Sequence, residues 1–175
     1  MWTSAPALRR TVVTAVIALL LCFVALSRPA AAAEPPPPLF VVAVDDATMT
    51  PGQESTLRVT FTNRETTPVQ FVYVMLREYK ADFLGCTGTS WCSYGQDNTG
   101  MLVFNLTAPQ VPIAPGESRT VQLRFRFRAD LDCASHWTTD FRVWYSHYEY
   151  GQGQAAEVFD PPESIAHSTL VCPAT

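Results

Sequence analysis

Cysteines and histidines are the side chains of this sequence most able to bind metal or act as nucleophiles. A zinc site needs them at short spacings, such as two residues between a pair of ligands. Five residues separate Cys86 from Cys92, and the three histidines (His136, His147 and His167) match no known metal-site pattern. The sequence therefore predicts no metal site.

Catalytic motifs are also missing from the sequence. It contains no G-x-S-x-G elbow, no H-E-x-x-H helix and no P-loop. We therefore expect a non-enzymatic protein with no catalytic residues and no cofactor.

The first 33 residues have the pattern of a secretory signal peptide. Arg9 and Arg10 precede an apolar run over residues 11–26, and small residues follow at Ala30 to Ala33. The apolar run is shorter than the roughly 20 residues needed to cross a bilayer. We expect cleavage after Ala32 or Ala33, and the Ala- and Arg-rich signal indicates a bacterial, extracellular protein.

Signal removal changes both the cysteine count and the charge. It removes Cys22 and three of the 12 basic residues, leaving nine basic against 16 acidic residues, a net charge of −7. That charge argues against nucleic-acid or anionic-membrane partners. The four remaining cysteines predict two disulfides, for which three pairings are possible. We favour Cys86–Cys92, within one loop, and Cys133–Cys172, which would fix the C-terminal tail.

Alternating apolar residues predict an all-β fold. Three segments alternate in this way, with Leu57, Val59, Phe61; Val121, Leu123, Phe125, Phe127; and Phe141, Val143, Tyr145 on their inner faces. Residues 69–76 are apolar on both faces, and shorter strand candidates lie at 39–44, 101–106 and 155–159. About seven strands predict an immunoglobulin-like antiparallel β-sandwich, with a barrel as the alternative.

One domain should contain these strands. Residues 34–38 are a proline-rich linker, and residues 39–175 form the domain with its C-terminal tail. Pro51-Gly52 and Pro115-Gly116 each precede an alternating strand, so we expect two similar turns within one sandwich.

The run P-G-Q-E-S-T-L-R-V-T-F-T-N at residues 51–63 resembles a second-strand signature of bacterial extracellular immunoglobulin-like modules, including the cell-adhesion-related type. The resemblance covers about a third of the domain. It implies a binding or structural module rather than an enzyme and transfers no functional residues. Such modules usually occur as repeats, whereas this chain has one copy.

Two groups of aromatic residues are candidates for ligand binding. Trp91 and Tyr94 lie in the segment 82–100, which the Cys86–Cys92 disulfide would hold compact. In the alternative, Trp91 fills the core of that loop.

The second group is a stripe on one face of a strand: Trp144, Ser146, Tyr148 and Tyr150. Exposed, its aromatic residues would bind sugar rings or a protein. In the alternative, the C-terminal tail covers them.

Arg124, Arg126 and Arg128 form a basic stripe. We expect it to be a solvated strand face paired with neighbouring acids, the alternative being a site for an anionic polymer.

The sequence thus predicts a secreted, monomeric module that binds a protein or carbohydrate, or interacts with the cell envelope. Trp91, Tyr94, Trp144 and Tyr148 are its candidate binding residues. The alternatives are a small inhibitor of an extracellular enzyme, acting through residues 82–100, and a purely structural accessory domain.

Overall fold

The computed structural model describes residues 35–78, 80–87, 94–96, 102–106, 111–131 and 138–172. Eleven β-strands and no helix occur in these residues. The strands are β1 Phe40–Val44, β2 Thr48–Met49, β3 Glu54–Thr62, β4 Val69–Arg77, β5 Ala81–Thr87, β6 Tyr94–Gln96, β7 Leu102–Asn105, β8 Ser118–Phe127, β9 Thr138–Tyr150, β10 Gln154–Phe159 and β11 Ile165–Leu170. The predicted signal peptide lies outside the described residues.

The strands form two sheets. The small sheet has the order β1-β3-β8-β5, and the large sheet has the order β2-β11-β9-β4-β7-β6, with β10 also paired to β9. All pairs are antiparallel except β2 with β11, which is parallel. The all-β prediction is confirmed, but the described strands outnumber the seven expected and one pair departs from the antiparallel pattern.

All seven strand segments expected from the sequence are strands, and four more were missed. Two of these, β2 and β6, span only two and three residues, which is too short to show an alternating pattern. β5 contains a register shift beside Gly85, and β11 faces inward with Ala166, Ser168 and Leu170. Small and polar inward residues hide a strand from a search for apolar alternation.

The core lies between the sheets and is built from the predicted inner faces. The inner residues of β3 and β8, and Phe141 and Val143 of β9, are almost completely buried. Aromatic rings meet at its centre, where Phe125 lies 4.6 Å from Phe141 and 5.9 Å from Phe127 between ring centroids. Burial of each such side chain contributes about 2 kcal/mol.

The two Pro-Gly turns, at residues 50–53 and 114–117, have the same hydrogen bonds. In each, the N–H of the fourth residue donates to the carbonyl of the first, at 3.1 and 3.0 Å. The side chain of that fourth residue, Gln53 or Glu117, accepts from the N–H of the first. Gly52 and Gly116 have φ angles of 78° and 76°, left-handed values that favour glycine. The predicted similarity of the two turns is therefore confirmed.

A local two-fold axis relates these turns. β3 and β8 pair antiparallel along their length, with Arg58 opposite Gln122 at the centre. Gly52 N–H donates to the carbonyl of Phe127, and Gly116 N–H donates to the carbonyl of Asn63, both at 2.9 Å. The shift along the chain that takes Gly52 to Gly116 also takes Asn63 to Phe127. The two bonds are therefore equivalent.

Asn63 is the residue that fixes the second turn against its neighbours. It is 1% exposed. Its side-chain amide donates to the carbonyls of Thr67 and Ile113, at 3.0 and 2.9 Å, and its side-chain oxygen accepts from the N–H of Glu65. All three partners are backbone groups, so this side chain ties the loop after β3 to the segment before β8.

Asn63→Ala is expected to lower the free energy of unfolding by about 3 kcal/mol, because it removes three hydrogen bonds between a buried side chain and the backbone. Urea denaturation measures the change. Gln122→Ala, on the exposed face of β8, is the control and should stay within about 0.5 kcal/mol of the unsubstituted protein. An Asn63→Ala variant as stable as the control would contradict this role.

Candidate functional site

A β-bulge at Trp144 determines how the side chains of β9 are arranged. Along the β4–β9 pair, Met75 lies opposite Tyr145, but Leu76 lies opposite Val143. Trp144 is therefore an extra residue, which reverses the alternation of all the β9 residues that follow it.

The reversal overturns the predicted stripe. Ser146 and Tyr148 face the core, with Tyr148 only 6% exposed, whereas Tyr145 lies outside the core and is partly exposed. The predicted surface position of Tyr148 is therefore wrong, and so is the predicted inward position of Tyr145. Of the stripe, Trp144 keeps its place on the outer face, where it is partly exposed.

Tyr148 instead joins the core to the loop after β3. Its ring lies 5.4 Å from that of Phe61, and its hydroxyl donates to Glu65 Oε1 at 2.9 Å. Burial raises the pKa of Tyr148 well above its usual range, and the hydrogen bond to Glu65 raises it further. The side chain is therefore part of the core.

Tyr148→Phe is expected to lower the free energy of unfolding by about 1 kcal/mol at neutral pH, through loss of this hydrogen bond. Because the folded-state pKa is raised, the contribution of neutral Tyr148 is complete below about pH 10 and is lost as the pH rises further. Urea denaturation from neutral to about pH 11 should show the unsubstituted protein losing stability faster than the variant, so that the two curves converge. Parallel curves would contradict this assignment.

An aromatic cluster lies on the outer side of the large sheet, across β4, β9 and β10. We call it the aromatic face, and it consists of Phe71, Tyr73, Trp144, Tyr145, His147 and Phe159. Ring centroids lie 6.3 Å apart for Tyr73 and Tyr145, 5.0 Å for Tyr145 and Phe159, and 6.0 Å for Trp144 and Phe159. Phe159 is 59% exposed. The rings therefore pack on one another while presenting apolar surface to solvent.

Charged groups surround the aromatic face. The Arg77 guanidinium carbon lies 5.3 Å from the centroid of the Trp144 ring, a cation–π contact. On the other side, the Tyr145 hydroxyl donates to Glu157 Oε1 at 3.1 Å. Burial raises the pKa of Tyr145, and its hydrogen bond to Glu157 adds to the increase. His147 lies between Glu157, at 3.9 Å, and Glu149, at 3.4 Å.

The short connection between β10 and β11, residues 160–164, borders this face where β10 ends. Asp160 N–H donates to the carbonyl of Trp144, and Val143 N–H donates to the carbonyl of Ser164, so this connection lies opposite the bulge. Asp160 and Glu163 have φ angles of 44° and 61°. Left-handed angles are strained in residues other than glycine, so bonds to β9 must hold this segment in place.

The aromatic face was only partly foreseen. Trp144 was a candidate, but Phe71, Tyr73, His147 and Phe159 were missed. Phe71 and Tyr73 lie on the same face of β4. The sequence did not reveal this, because β4 is apolar on both faces. The tail predicted as an alternative cover for this face instead contributes β11, which pairs with the edge of β9 as far as Thr169.

The segment of residues 82–100 contains strands at both its ends. β5 pairs with β8 in the small sheet and β6 pairs with β7 in the large sheet, so the chain crosses between sheets here. Trp91 lies outside the described residues, as does the side chain of Tyr94. Both therefore stay predictions as binding residues.

Two of the four cysteines in the predicted disulfides are among the described residues. Cys86 and Cys172 are each disulfide-bonded. Cys92 and Cys133 lie outside the described residues, so the pairing itself stays a prediction.

The basic stripe on the small sheet is ion-paired, as expected. Arg124 lies 2.7 Å and Arg126 lies 4.0 Å from the carboxylate of Glu54, and Arg128 lies 2.6 Å from that of Asp130. The Arg128 hydrogen bond also lowers the pKa of Asp130. The prediction of a solvated, paired strand face is confirmed.

The described histidines stand apart from one another along the large sheet. His167 Nδ1 lies 2.7 Å from Asp140, while His147 lies among the glutamates of the aromatic face. Within the described residues, no three His, Cys, Asp or Glu side chains are grouped so as to hold a metal ion. His136 lies outside them. Nor do the described residues include a helix long and apolar enough to cross a membrane.

Comparison with known proteins identifies the fold. No family model matches the sequence, and no curated protein matches it. The third cohesin of ScaC from Acetivibrio cellulolyticus, solved in complex with the ScaB dockerin, is similar in structure with a TM-score of 0.56 and 12% identity, over 75% of this chain and 99% of that one.

Two further structures are similar. The cohesin module of a Clostridium perfringens family 33 glycoside hydrolase matches 78% of this chain and 98% of its own, with a TM-score of 0.54 and 6% identity. The N-terminal domain of the Streptococcus gordonii adhesin Sgo0707 matches 79% of this chain and 34% of its own, with a TM-score of 0.52 and 11% identity.

Such low identities establish the fold alone. The chain has a cohesin-like jelly-roll sandwich, and its resemblance to bacterial adhesion-related β-sandwich modules is confirmed at the level of the fold.

Proposed function

We propose that this chain is a non-enzymatic protein-binding module that binds its partner through the aromatic face. The observation that carries the proposal is the aromatic cluster on the solvent side of the large sheet, with Phe159 more than half exposed among the other rings. Clustered exposed apolar surface of this kind is costly in water and is typical of interaction sites.

The tilt of the rings favours a protein partner over a flat polysaccharide. The interplanar angles are 67° for Tyr73 and Tyr145, 50° for Tyr145 and Phe159, and 82° for Trp144 and Phe159. A flat sugar chain stacks best on coplanar rings, whereas tilted rings form an uneven apolar surface. Protruding side chains of a protein can pack into such a surface.

The residue types also suit a protein interface. Trp, Tyr and Arg are enriched among the residues that contribute most to binding between proteins. Here Trp144, Tyr145 and Arg77 lie together, and Glu157 with Glu149 supplies a polar rim. The cohesin of ScaC was solved with a dockerin bound, which supports a protein partner for a chain of the same fold.

The proposal includes the finer predictions from the sequence. Residues 1–33 are a signal peptide, and residues 39–175 act outside the cell as one monomeric domain, in solution or at the cell envelope. The four cysteines form two disulfides, which the bonded state of Cys86 and Cys172 supports, and the favoured pairing is Cys86 with Cys92 and Cys133 with Cys172. The enzyme inhibitor acting through residues 82–100 and the purely structural role stay as the alternative hypotheses.

Loss of the two most prominent rings tests the proposal. The double variant Trp144→Ala/Phe159→Ala is expected to weaken partner binding at least about 30-fold, since truncation of central aromatic residues typically costs 2 kcal/mol or more. Immobilised protein is used to capture a binding protein from culture of the source bacterium, and the affinity of that purified partner is then measured by calorimetry.

Gln122→Ala, on the outer face of the small sheet, is the matched control and should bind like the unsubstituted protein. Circular dichroism melting confirms that both variants fold. The proposal fails if the double variant retains the partner at full affinity, or if polysaccharide, and no protein, is retained through these two rings.

A further inference from the structure

The strand β10 has a partner on one edge only within the described part of the chain. It pairs with β9 from Gln154 opposite Tyr150 to Phe159 opposite Tyr145. All six of its residues are exposed or partly exposed. An open strand edge presents a row of backbone donors and acceptors that a further strand can use.

The hydrogen bond at the end of β10 identifies which backbone groups face outward. Asp160 N–H donates to the carbonyl of Trp144 at 3.0 Å, so residue 160 faces β9. Successive residues of an antiparallel strand direct their N–H and C=O groups to opposite edges. The N–H and C=O groups of Ala155, Glu157 and Phe159 therefore point to the open edge.

We propose that the open edge of β10 binds an extended segment of a partner protein as an added antiparallel strand, with a basic side chain opposite Glu157 and an aromatic or aliphatic side chain opposite Phe159. The inference rests on the proposed function, because Phe159 belongs to both the aromatic face and this edge. It adds the chemistry of the partner and its backbone geometry.

Charge determines the residue opposite Glu157. The side chains of Glu157 and Glu149 are 60% and 54% exposed, and both lie on the outer side of the hairpin formed by β9 and β10. Opposite charges directly across two strands stabilise the pair, and like charges destabilise it. An arginine or lysine two residues from an apolar side chain therefore fits this edge.

The same glutamate disfavours a second copy of this chain as the occupant. Antiparallel pairing of two β10 strands about their middle would place one Glu157 opposite the other. Registers shifted in either direction place Pro161, which has no N–H, or the left-handed Gly153 opposite a strand residue. The partner is therefore a different sequence, of about six residues between these two limits.

The inner side of β10 adds a requirement for apolar residues. Ala156 and Val158 face inward but are only partly buried against the core. An added strand would place its own alternate side chains beside them and extend their cover. The segment should therefore carry aliphatic residues on both sides of the basic one, opposite Val158 and Ala156.

The test uses a synthetic peptide, T-F-V-R-V-T-T with blocked ends, which places Phe opposite Phe159 and Arg opposite Glu157. Purified protein is titrated with the peptide and followed by heteronuclear NMR and amide hydrogen exchange. We expect saturable shifts and slowed exchange at the amides of Ala155, Glu157 and Phe159. No response at these amides up to about 5 mM peptide overturns the inference, since a dissociation constant near 1 mM would be visible.

The control is the same peptide N-methylated at its Phe and Arg amides, which keeps the side chains and removes the two backbone donors that face Phe159 and Glu157. We expect at least tenfold weaker binding for this peptide. If it binds equally well, the inference is overturned while the proposed function stands, because side chains alone then bind to the aromatic face.

Charge reversal gives an independent readout at the same position. Glu157→Arg should weaken binding of the peptide about threefold, in line with the energies of cross-strand pairs. A peptide with Glu in place of Arg should recover the lost affinity on this variant. If both peptides bind the unsubstituted protein and the variant with the same affinity, the assigned register is contradicted.

Discussion

The extra residue at Trp144 determines on which side of the large sheet every later residue of β9 lies. Strand geometry allows only two sides, so one inserted residue moves Tyr148 into the core and Tyr145 to the outer side. The other edge of β9 accommodates the same irregularity, because β10 and β11 pair on either side of it with residues 160–164 between them. The core, the aromatic face and the open edge of β10 all depend on this bulge.

The bulge is accompanied by an energetic cost in the core. Ser146 is fully buried, and its hydroxyl has no hydrogen-bond partner among the described residues. A buried hydroxyl without a partner costs about 1–3 kcal/mol. Asp160 and Glu163 add backbone strain directly opposite. Such costs are tolerated where they serve an arrangement of side chains, and here they place Trp144, Tyr145 and Phe159 together.

Alternation in the sequence was sufficient to predict the sandwich, because β3 and β8 each follow a Pro-Gly turn and alternate without interruption. It was insufficient to predict the aromatic face, because nothing in the sequence around Trp144 marks an inserted residue. The bulge exists only in the pairing of β9 with β4, which is a tertiary relation. Phe159 lay within a predicted strand, but its exposure was missed. Exposure depends on which strands lie beside β10, and sequence alone does not provide that.

The two outer surfaces of the sandwich differ in how far their side chains already have partners, and this difference favours the aromatic face as the proposed binding surface. On the small sheet, Thr60 and Thr120 share a hydrogen bond of 2.8 Å, and the arginines of β8 pair with Glu54. Those groups already have partners, so a ligand would gain little by displacing them. The rings of the aromatic face can satisfy each other only in part, and their exposed surface remains unfavourable in water. Because they are already packed at 5.0 to 6.3 Å from one another, a partner would immobilise few side chains on binding them, which lowers the entropic cost of association.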